Sequence, residues 1–302
     1  NDNATLVYNR SDDISVGNVI GGTGKLIKTG SNTLFLTGAN TYSGTTVVSN
    51  GPLRVDGTHN GVGGYTVLTN ATLSGTGTIS AATVTVNGYG RIGQSTVLGR
   101  PLTAAAVTLA SQGRVLCVIN GTNRSLRVTG AFNTSAVTNI VMCYGTGITL
   151  PGTNSLIDYG SLGGGGMGTL GLAPLPNDAA GYLTNNTVDK VIQLVITNTG
   201  SGMRWDGAVN DKWDIGATAN WKLRTSGTAA NYIDYSDVVF DDLATANYTV
   251  DVTTALIPLS MTFSNDAMPY VLQGSGSISN YGDLAKTRAL SAAIGVNVVV
   301  QG

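Results

Sequence analysis

The chain has 302 residues, a net charge of −1 and only 11% charged residues, against about a quarter in ordinary soluble domains. It is long enough to bury a large core, and 42% of its residues are hydrophobic, which argues against intrinsic disorder. No stripe of basic residues is available to neutralise phosphates, so we expect no nucleic-acid partner. No apolar stretch approaches the roughly 18 residues of a spanning helix, so the sequence predicts no membrane span.

Short apolar runs separated by glycine and asparagine dominate residues 24–53. Such runs are too short for helices and are typical of strands bounded by corners. Glycine accepts a positive φ, and asparagine is the next best residue at such a corner. The predicted corner residues are Gly30, Gly38, Asn40, Gly44, Asn50 and Gly51. The rest of the chain repeats this pattern less regularly, which predicts an all-β coil of strands.

The same stretch resembles the autotransporter-associated β-strand repeat of bacterial surface and secreted passenger proteins. The matching residues are Gly24, Leu26, Lys28, Gly30, Thr33, Leu34, Leu36, Gly38, Asn40, Thr41, Tyr42, Gly44, Thr46, Val48, Gly51 and Leu53. Asn32 and Thr45 stand where the repeat has glycine, so we expect a looser corner at Thr45. The resemblance implies a right-handed parallel β-helix (a β-solenoid), an extracellular or cell-surface location and no catalytic residues.

Three other features are weak signals for chemistry. Asp12 and Asp13 lack the roughly six converging oxygens that Ca²⁺ requires, so no metal site is predicted. Gly75 and Gly77 alternate with threonine, but no helix follows to hold a dinucleotide, so we expect no cofactor. The single histidine, His59, lies in a loop-like stretch without a nearby nucleophile. We expect its side chain to be exposed and inert.

Cys117 and Cys143 each lie in an apolar run that is typical of a strand. One coil of a β-helix takes roughly 20 to 30 residues, so the two cysteines are predicted to stack on neighbouring coils. One interpretation is a pair of buried free thiols that act as small hydrophobes. The other is a disulfide that joins the two coils, which an oxidising location would favour.

The composition changes along the chain and predicts three segments. Residues 1–150 form a β-solenoid, residues 151–202 a loop-rich excursion with returning strands, and residues 203–302 a Trp-containing β segment that continues the solenoid. The glycine run at 163–168 marks the excursion, because glycine is costly to order. For residues 284–294 we favour a further coil over a short helix.

The only three tryptophans, Trp205, Trp213 and Trp221, are evenly spaced in the last segment. They are predicted to pack as a local cluster, since each indole buries a large area. The alternative is an exposed aromatic platform that binds the sugar rings of a glycan. The aspartates between the tryptophans resemble turn formers, which favours the packed cluster.

Strand-forming residues lie near both ends of the sequence: Leu6, Val7 and Tyr8 near the first, and Val298, Val299 and Val300 near the second. The end strands of a solenoid pair with other chains unless a cap covers them, and the sequence shows no obvious cap. Head-to-tail pairing of two different edges gives an open filament, which predicts a homopolymer. The alternative is that the chain is a segment of a longer solenoid.

These features favour a non-catalytic extracellular structural protein that assembles into a filament or surface fibre. The alternative is an adhesin, a glycan-binding passenger segment of a larger autotransporter-like protein. A polysaccharide-degrading β-helix enzyme is disfavoured, because glycosidase chemistry needs a close pair of carboxyl groups. The acidic residues are sparse and are all aspartate.

Overall fold

The structure is a computed structural model that describes residues 3–94, 100–119, 124–145, 148, 151–280, 284–286, 292–295 and 297–300. It is all-β, with about 3% helix, and its stacked parallel strands form a β-solenoid of about 11 turns. The predicted fold class is therefore confirmed. The chain divides into two compact units. The first contains Asn1–Cys143, Gly152–Ala173 and Tyr182–Val195, and the second contains Tyr144–Pro151, Pro174–Gly181 and Ile196–Gly302.

The strands before residue 200 belong to two sheets. They are β1 (Thr5–Tyr8), β2 (Ile14–Val16), β3 (Lys25–Lys28), β4 (Leu34–Leu36), β5 (Ala39–Asn40), β6 (Thr46–Val48), β7 (Gly51–Val55), β8 (Thr58–His59), β9 (Tyr65–Val67), β10 (Ala71–Ser74), β11 (Thr78–Val86), β12 (Arg91–Gly93), β13 (Leu102–Leu109), β14 (Arg114–Val118), β15 (Leu126–Thr134), β16 (Asn139–Tyr144), β17 (Gly152–Gly164), β18 (Leu170–Leu172), β19 (Ala180–Asn186) and β20 (Val191–Asn198). The larger sheet runs β1-β3-β6-β9-β11-β13-β15-β17-β20-β19, with β5 and β8 paired beside it. The smaller sheet runs β18-β16-β14-β12-β10-β7-β4-β2. Short 3₁₀ helices lie at Gly166–Thr169 and Pro176–Asp178.

The later strands form three further sheets. They are β21 (Met203–Trp205), β22 (Lys212–Trp213), β23 (Trp221–Leu223), β24 (Ala229–Ala230), β25 (Asp237–Asp241), β26 (Thr249–Val252), β27 (Ala255–Leu256), β28 (Ser260–Ser264), β29 (Tyr270–Gln273), β30 (Ser277–Asn280), β31 (Leu284–Lys286), β32 (Ala292–Ile294) and β33 (Asn297–Val300). Their orders are β24-β23-β21-β25-β28-β31, β22-β26-β29-β32 and β27-β30-β33. Within 284–294 the described residues form strands β31 and β32, as expected for a further coil, and residues 287–291 lie outside the described part of the chain.

One rung, meaning a single complete turn of the solenoid, uses three short strands in the first unit. Strands β3, β4 and β5 form one rung, and β6, β7 and β8 form the next. The inward positions align from rung to rung, for example Leu34 with Leu53 and Val48 with Val67. Side chains alternate across a strand, so these residues are fully buried while their neighbours in sequence face outward. The core is therefore a stack of aligned aliphatic side chains.

The repeat glycines serve a different purpose from the one that the sequence suggested. The predicted corner glycines are Gly30, Gly38, Gly44 and Gly51. Of these four, only Gly51 has a positive φ, of 67°. Gly38 lies so close to the preceding rung that an added Cβ would be 2.6 Å from the carbonyl oxygen of Asn18. Gly30 and Gly44 lie even closer to backbone atoms of that rung. These glycines are required because successive backbones pass too close for a Cβ, so the expectation of left-handed corners is wrong at three of the four.

The predicted loop-rich excursion, residues 151–202, begins with a long regular strand. Strand β17 pairs in parallel with β15, from Leu126 opposite Ile157 to Thr134 opposite Gly164. An added Cβ at Gly164 would collide with the carbonyl oxygen of Thr134. Gly164 therefore permits a close approach to β15, whose hydrogen bonds offset the entropic cost of ordering glycine.

Gly44→Ala is predicted to destabilise the first unit by about 2–4 kcal/mol, because the new Cβ would displace the backbone at Gly24. The matched control is Gly168→Ala, whose Cβ would meet no atom within 4 Å. Its stability should stay within about 0.5 kcal/mol of the wild type. Urea unfolding followed by far-UV circular dichroism measures both changes. Equal stability of the two variants would contradict the close-approach explanation.

Candidate functional site

A buried polar cluster occupies the core of the repeat. The Tyr42 hydroxyl lies 2.6 Å from the Thr46 hydroxyl, and the Tyr65 hydroxyl lies 2.9 Å from Nδ1 of His59. The His59 ring stacks on Tyr42 at a centroid distance of 4.2 Å and is 0% exposed. The expectation of an exposed His59 is therefore wrong. Strand β8 pairs with β5 and aligns His59 with Asn40. This pairing places His59 at an inward position, which the glycine-rich sequence around it did not indicate.

The hydrogen bonds of His59 fix its protonation. Nε2 lies 2.9 Å from the carbonyl oxygen of Tyr42, and a carbonyl oxygen can only accept, so Nε2 carries the proton. Nδ1 then accepts a hydrogen bond from the Tyr65 hydroxyl. Burial lowers the pKa of His59 below its ordinary value. Both ring nitrogens are occupied, so this imidazole is positioned to hold the rung together.

Two further polar residues of the repeat also join rungs. Lys28 is buried, and its amine donates to the carbonyl oxygens of Gly30 and, at 3.1 Å, of Asn50. Burial lowers the pKa of Lys28. The Asn40 carboxamide accepts from the amide of Ile20 at 2.9 Å and donates to the carbonyl oxygen of Gly38. Asn40 therefore bridges two rungs from a buried position, and the prediction of a corner role for it is wrong.

Cys117 and Cys143 lie on neighbouring strands of the smaller sheet, β14 and β16. The amide of Ile140 donates to the carbonyl oxygen of Gly113 at 3.2 Å, which sets Ile140 opposite Arg114 and Cys143 opposite Cys117. Stacking on adjacent rungs agrees with the prediction. Both thiols are buried and free, and the disulfide stays a prediction for oxidising conditions. A hydrogen bond with Cys117, together with burial, raises the pKa of Cys143 well above its ordinary value.

The three tryptophans form the centre of the hydrophobic core of the second unit. Trp205, Trp213 and Trp221 are 0%, 0% and 1% exposed. The Trp221 ring lies 5.2 Å from that of Trp205 and 5.0 Å from that of Trp213, both at edge-to-face angles. Side chains buried to this extent cannot offer a flat surface to a sugar, so the glycan-platform hypothesis is wrong for these residues.

The predicted assembly residues lie in strands at the ends of sheets. Strand β1, which contains Leu6, Val7 and Tyr8, is the first strand of the larger sheet. Val7 is 53% exposed, while Leu6 and Tyr8 face inward and are only half-buried. Strand β33, which contains Val298, Val299 and Val300, is the last strand of its sheet and pairs with β30. The assembly itself stays a prediction.

A concave polar groove with a volume of about 450 Å³ lies beside strands β15 and β17. Its charged lining residues are Arg124, Arg127, Asp158, Asp189 and Lys190. Several of these groups are already engaged: Arg124 pairs with Asp158 at 2.5 Å, and the Lys190 amine donates to the carbonyl oxygen of Gly160 at 2.9 Å. The charged groups of this groove are therefore largely occupied by contacts with one another and with the backbone.

The described residues provide neither a metal-ligand cluster nor a membrane-spanning helix. Among them, no three His, Cys or Asp side chains are grouped so that they could share a metal ion. None of the helices in that part of the chain has the length and apolar character needed to cross a membrane.

The fold and the repeat rung define a parallel β-solenoid whose rungs are joined by close backbone approach and inward polar side chains. Residues 26–55 match the family described as the passenger-associated-transport-repeat. The match confirms, for this stretch of the chain, the resemblance to the repeat of autotransporter passenger proteins that was seen in the sequence. Proteins with this repeat are surface-displayed or secreted. A comparison with curated proteins gives no match.

The stability of the wild type should fall as the pH drops below about 6.5, the ordinary pKa of histidine. The lowered pKa in the folded state means that the unfolded chain takes up a proton first, so folding loses up to about 1.4 kcal/mol per pH unit. The other side chains of the cluster, Tyr42, Thr46 and Tyr65, do not titrate in this range. Urea unfolding between about pH 7 and pH 5 measures the effect.

The control for the pH series is His59→Asn, which places asparagine next to the aligned Asn40. This variant should lose the pH dependence above about pH 5, because His59 is the single histidine. An unchanged slope would show that another group is responsible.

Trp213→Ala should destabilise the second unit by about 3–5 kcal/mol, because it removes a fully buried indole from the aromatic core. The control Val209→Ala removes an exposed side chain of the same unit and should change stability by less than about 0.5 kcal/mol. Thermal and urea unfolding monitored by tryptophan fluorescence compare the two. A Trp213→Ala variant as stable as the control would show that the cluster is not the core of the unit.

Proposed function

We propose that this chain is a non-catalytic structural segment of a surface-displayed or secreted passenger, and that its open edges stack head to tail on further copies to form a fibre. The observation that carries the proposal is strand β1, whose outer edge pairs with no other strand among the described residues. Leu6 and Tyr8 point inward, like the aligned and buried Leu26 and Lys28 of the next rung, yet remain half-buried. A further rung placed on β1 would complete their burial.

The backbone of β1 is arranged to accept such a rung. The carbonyl oxygens of Ala4 and Tyr8 accept hydrogen bonds from β3, from the amides of Lys25 and Thr29 at 2.9 Å each. In a parallel strand, every second residue directs both its N–H and its C=O to one neighbouring strand, and the residues between them direct both groups to the opposite side. The N–H and C=O of Val7 therefore point away from β3, towards the open edge, and are available to pair with another strand.

Three strands of the second unit also lie at the edges of their sheets. Strands β31, β32 and β33 each end their sheet, and each pairs in parallel with one preceding strand. A parallel, in-register contact between these strands and the first rung of another copy would repeat the pairing used inside the solenoid. Because the two surfaces differ, such a contact does not close into a dimer and yields a filament.

The aspartates of the second unit support a structural role. The densest group is Asp234, Asp237, Asp241 and Asp242. The Asp234 carboxylate accepts a hydrogen bond from the amide of Ile257, and that of Asp241 accepts one from the amide of Leu243. The Asp242 carboxylate accepts one from the amide of Ala267, and that of Asp237 accepts one from the Ser260 hydroxyl. Carboxylates occupied in this way brace corners and neighbouring strands. His59, with both nitrogens bonded, has a similar role in the first unit.

The adhesin alternative no longer has the tryptophans as a glycan-binding surface, because all three are buried. The groove beside β15 and β17 remains as a concave polar surface for a glycan. Its internal ion pair makes it a weaker basis for a function than the outer edge of β1.

Val7→Pro tests the assembly. Proline removes the N–H that points to the open edge, while the bonds from β3 to Ala4 and Tyr8 remain. Negative-stain micrographs and sedimentation velocity of the purified wild type should show fibres whose length increases with protein concentration. The proline variant should remain monomeric with an unchanged circular dichroism spectrum. Val7→Thr keeps the N–H and should still assemble. A wild type that stays monomeric at all concentrations would contradict assembly.

A further inference from the structure

Two arginines of like charge lie side by side on the smaller sheet of the first unit. Arg91 in β12 is aligned with Arg114 in β14, and neighbouring strands are about 4.8 Å apart. Like charges directly opposite each other in a sheet are destabilising. The arrangement therefore requires an explanation, since only 16 of the 302 residues are lysine or arginine.

Neither arginine has a countercharge among the residues that the structure describes. Arg10, Arg54, Arg124 and Lys222 each form an ion pair with an aspartate. Across the described ranges, no hydrogen bond or ion pair is found for Arg91 or Arg114, and the Nε atom of each is buried without a partner. Burial and the neighbouring Arg91 lower the pKa of Arg114. Buried polar atoms in proteins normally have partners, so these two are candidates for a bound ligand.

A tyrosine holds one guanidinium in place. The Arg114 guanidinium carbon lies 4.7 Å from the centre of the Tyr89 ring. Tyr89 lies in a tight turn closed by a 3.0 Å bond from the amide of Gly90 to the carbonyl oxygen of Asn87, with Gly88 at a φ of 53°. A guanidinium stacked on a ring keeps its in-plane N–H groups free to bind an anion.

We propose that Arg91 and Arg114, with Tyr89 as the support, bind a tetrahedral oxyanion, either a sulfate or a phosphate group. Two adjacent guanidinium groups present several N–H donors to oxygen atoms of one anion, and charge-assisted bonds of this kind are the strong ones. The anion would cancel the repulsion between the two arginines. The source is a free inorganic ion or a charged group on a polysaccharide. This site does not depend on the proposed assembly.

The experiment compares thermal unfolding of the whole chain in sodium sulfate, sodium phosphate and sodium chloride at equal ionic strength. Sulfate or phosphate should raise the melting temperature of the wild type saturably above its value in chloride. Arg91→Gln should weaken the apparent affinity at least about tenfold. The control Arg10→Gln removes an exposed arginine of the same unit that already pairs with Asp12 and should leave the response unchanged.

Two further comparisons separate a binding site from a structural pair. In chloride alone, Arg91→Gln should melt no lower than the wild type, because it relieves repulsion. Arg91→Lys keeps the charge but loses the planar fork and should bind more weakly than the wild type. Dextran sulfate tested against uncharged dextran distinguishes a polysaccharide source from the free ion. The proposal is overturned if sulfate and phosphate act no differently from chloride on the wild type, or if Arg91→Gln responds as the wild type does.

Discussion

The structure depends on how closely one rung of backbone lies on the next. Parallel strands stack about 4.8 Å apart, and at the corners of the repeat the spacing leaves no room for a Cβ. Gly38 and Gly44 are examples, each lying against carbonyl groups of the preceding rung. Once the corners are held at this distance, the inward side chains must align from rung to rung. The aliphatic stack, the Asn40 bridge and the buried amine of Lys28 all follow from that alignment.

Much of this architecture could be predicted from the sequence. Short apolar runs between glycines indicated strands, and the spacing of Cys117 and Cys143 indicated adjacent rungs. What could not be predicted was the environment of individual polar residues. His59 lies among glycine, threonine and asparagine, which is typical of a loop, and its burial follows from the pairing of β8 with β5. That pairing joins residues distant in sequence, so no local pattern reveals it.

The glycine run at 163–168 illustrates the same limit. By itself it has no preferred shape, and a loop was the natural expectation. The neighbouring strand β15 pairs with the first residues of the run, and at Gly164 the absence of a side chain permits this close packing. The pairing of Arg91 with Arg114 was likewise invisible, because the two residues come together only through the register of β12 and β14.

The three-strand rung also has a consequence for how the chain acquires its shape. Each rung of the first unit is paired chiefly with the rung before it and the rung after it, so a completed rung presents an ordered row of donors and acceptors to the residues that follow. Order can then spread along the polypeptide as in a zipper, from whichever rung forms first. The rung built by the repeat has inward polar side chains, Tyr42, Asn40 and Lys28, and is therefore the best suited to begin that process.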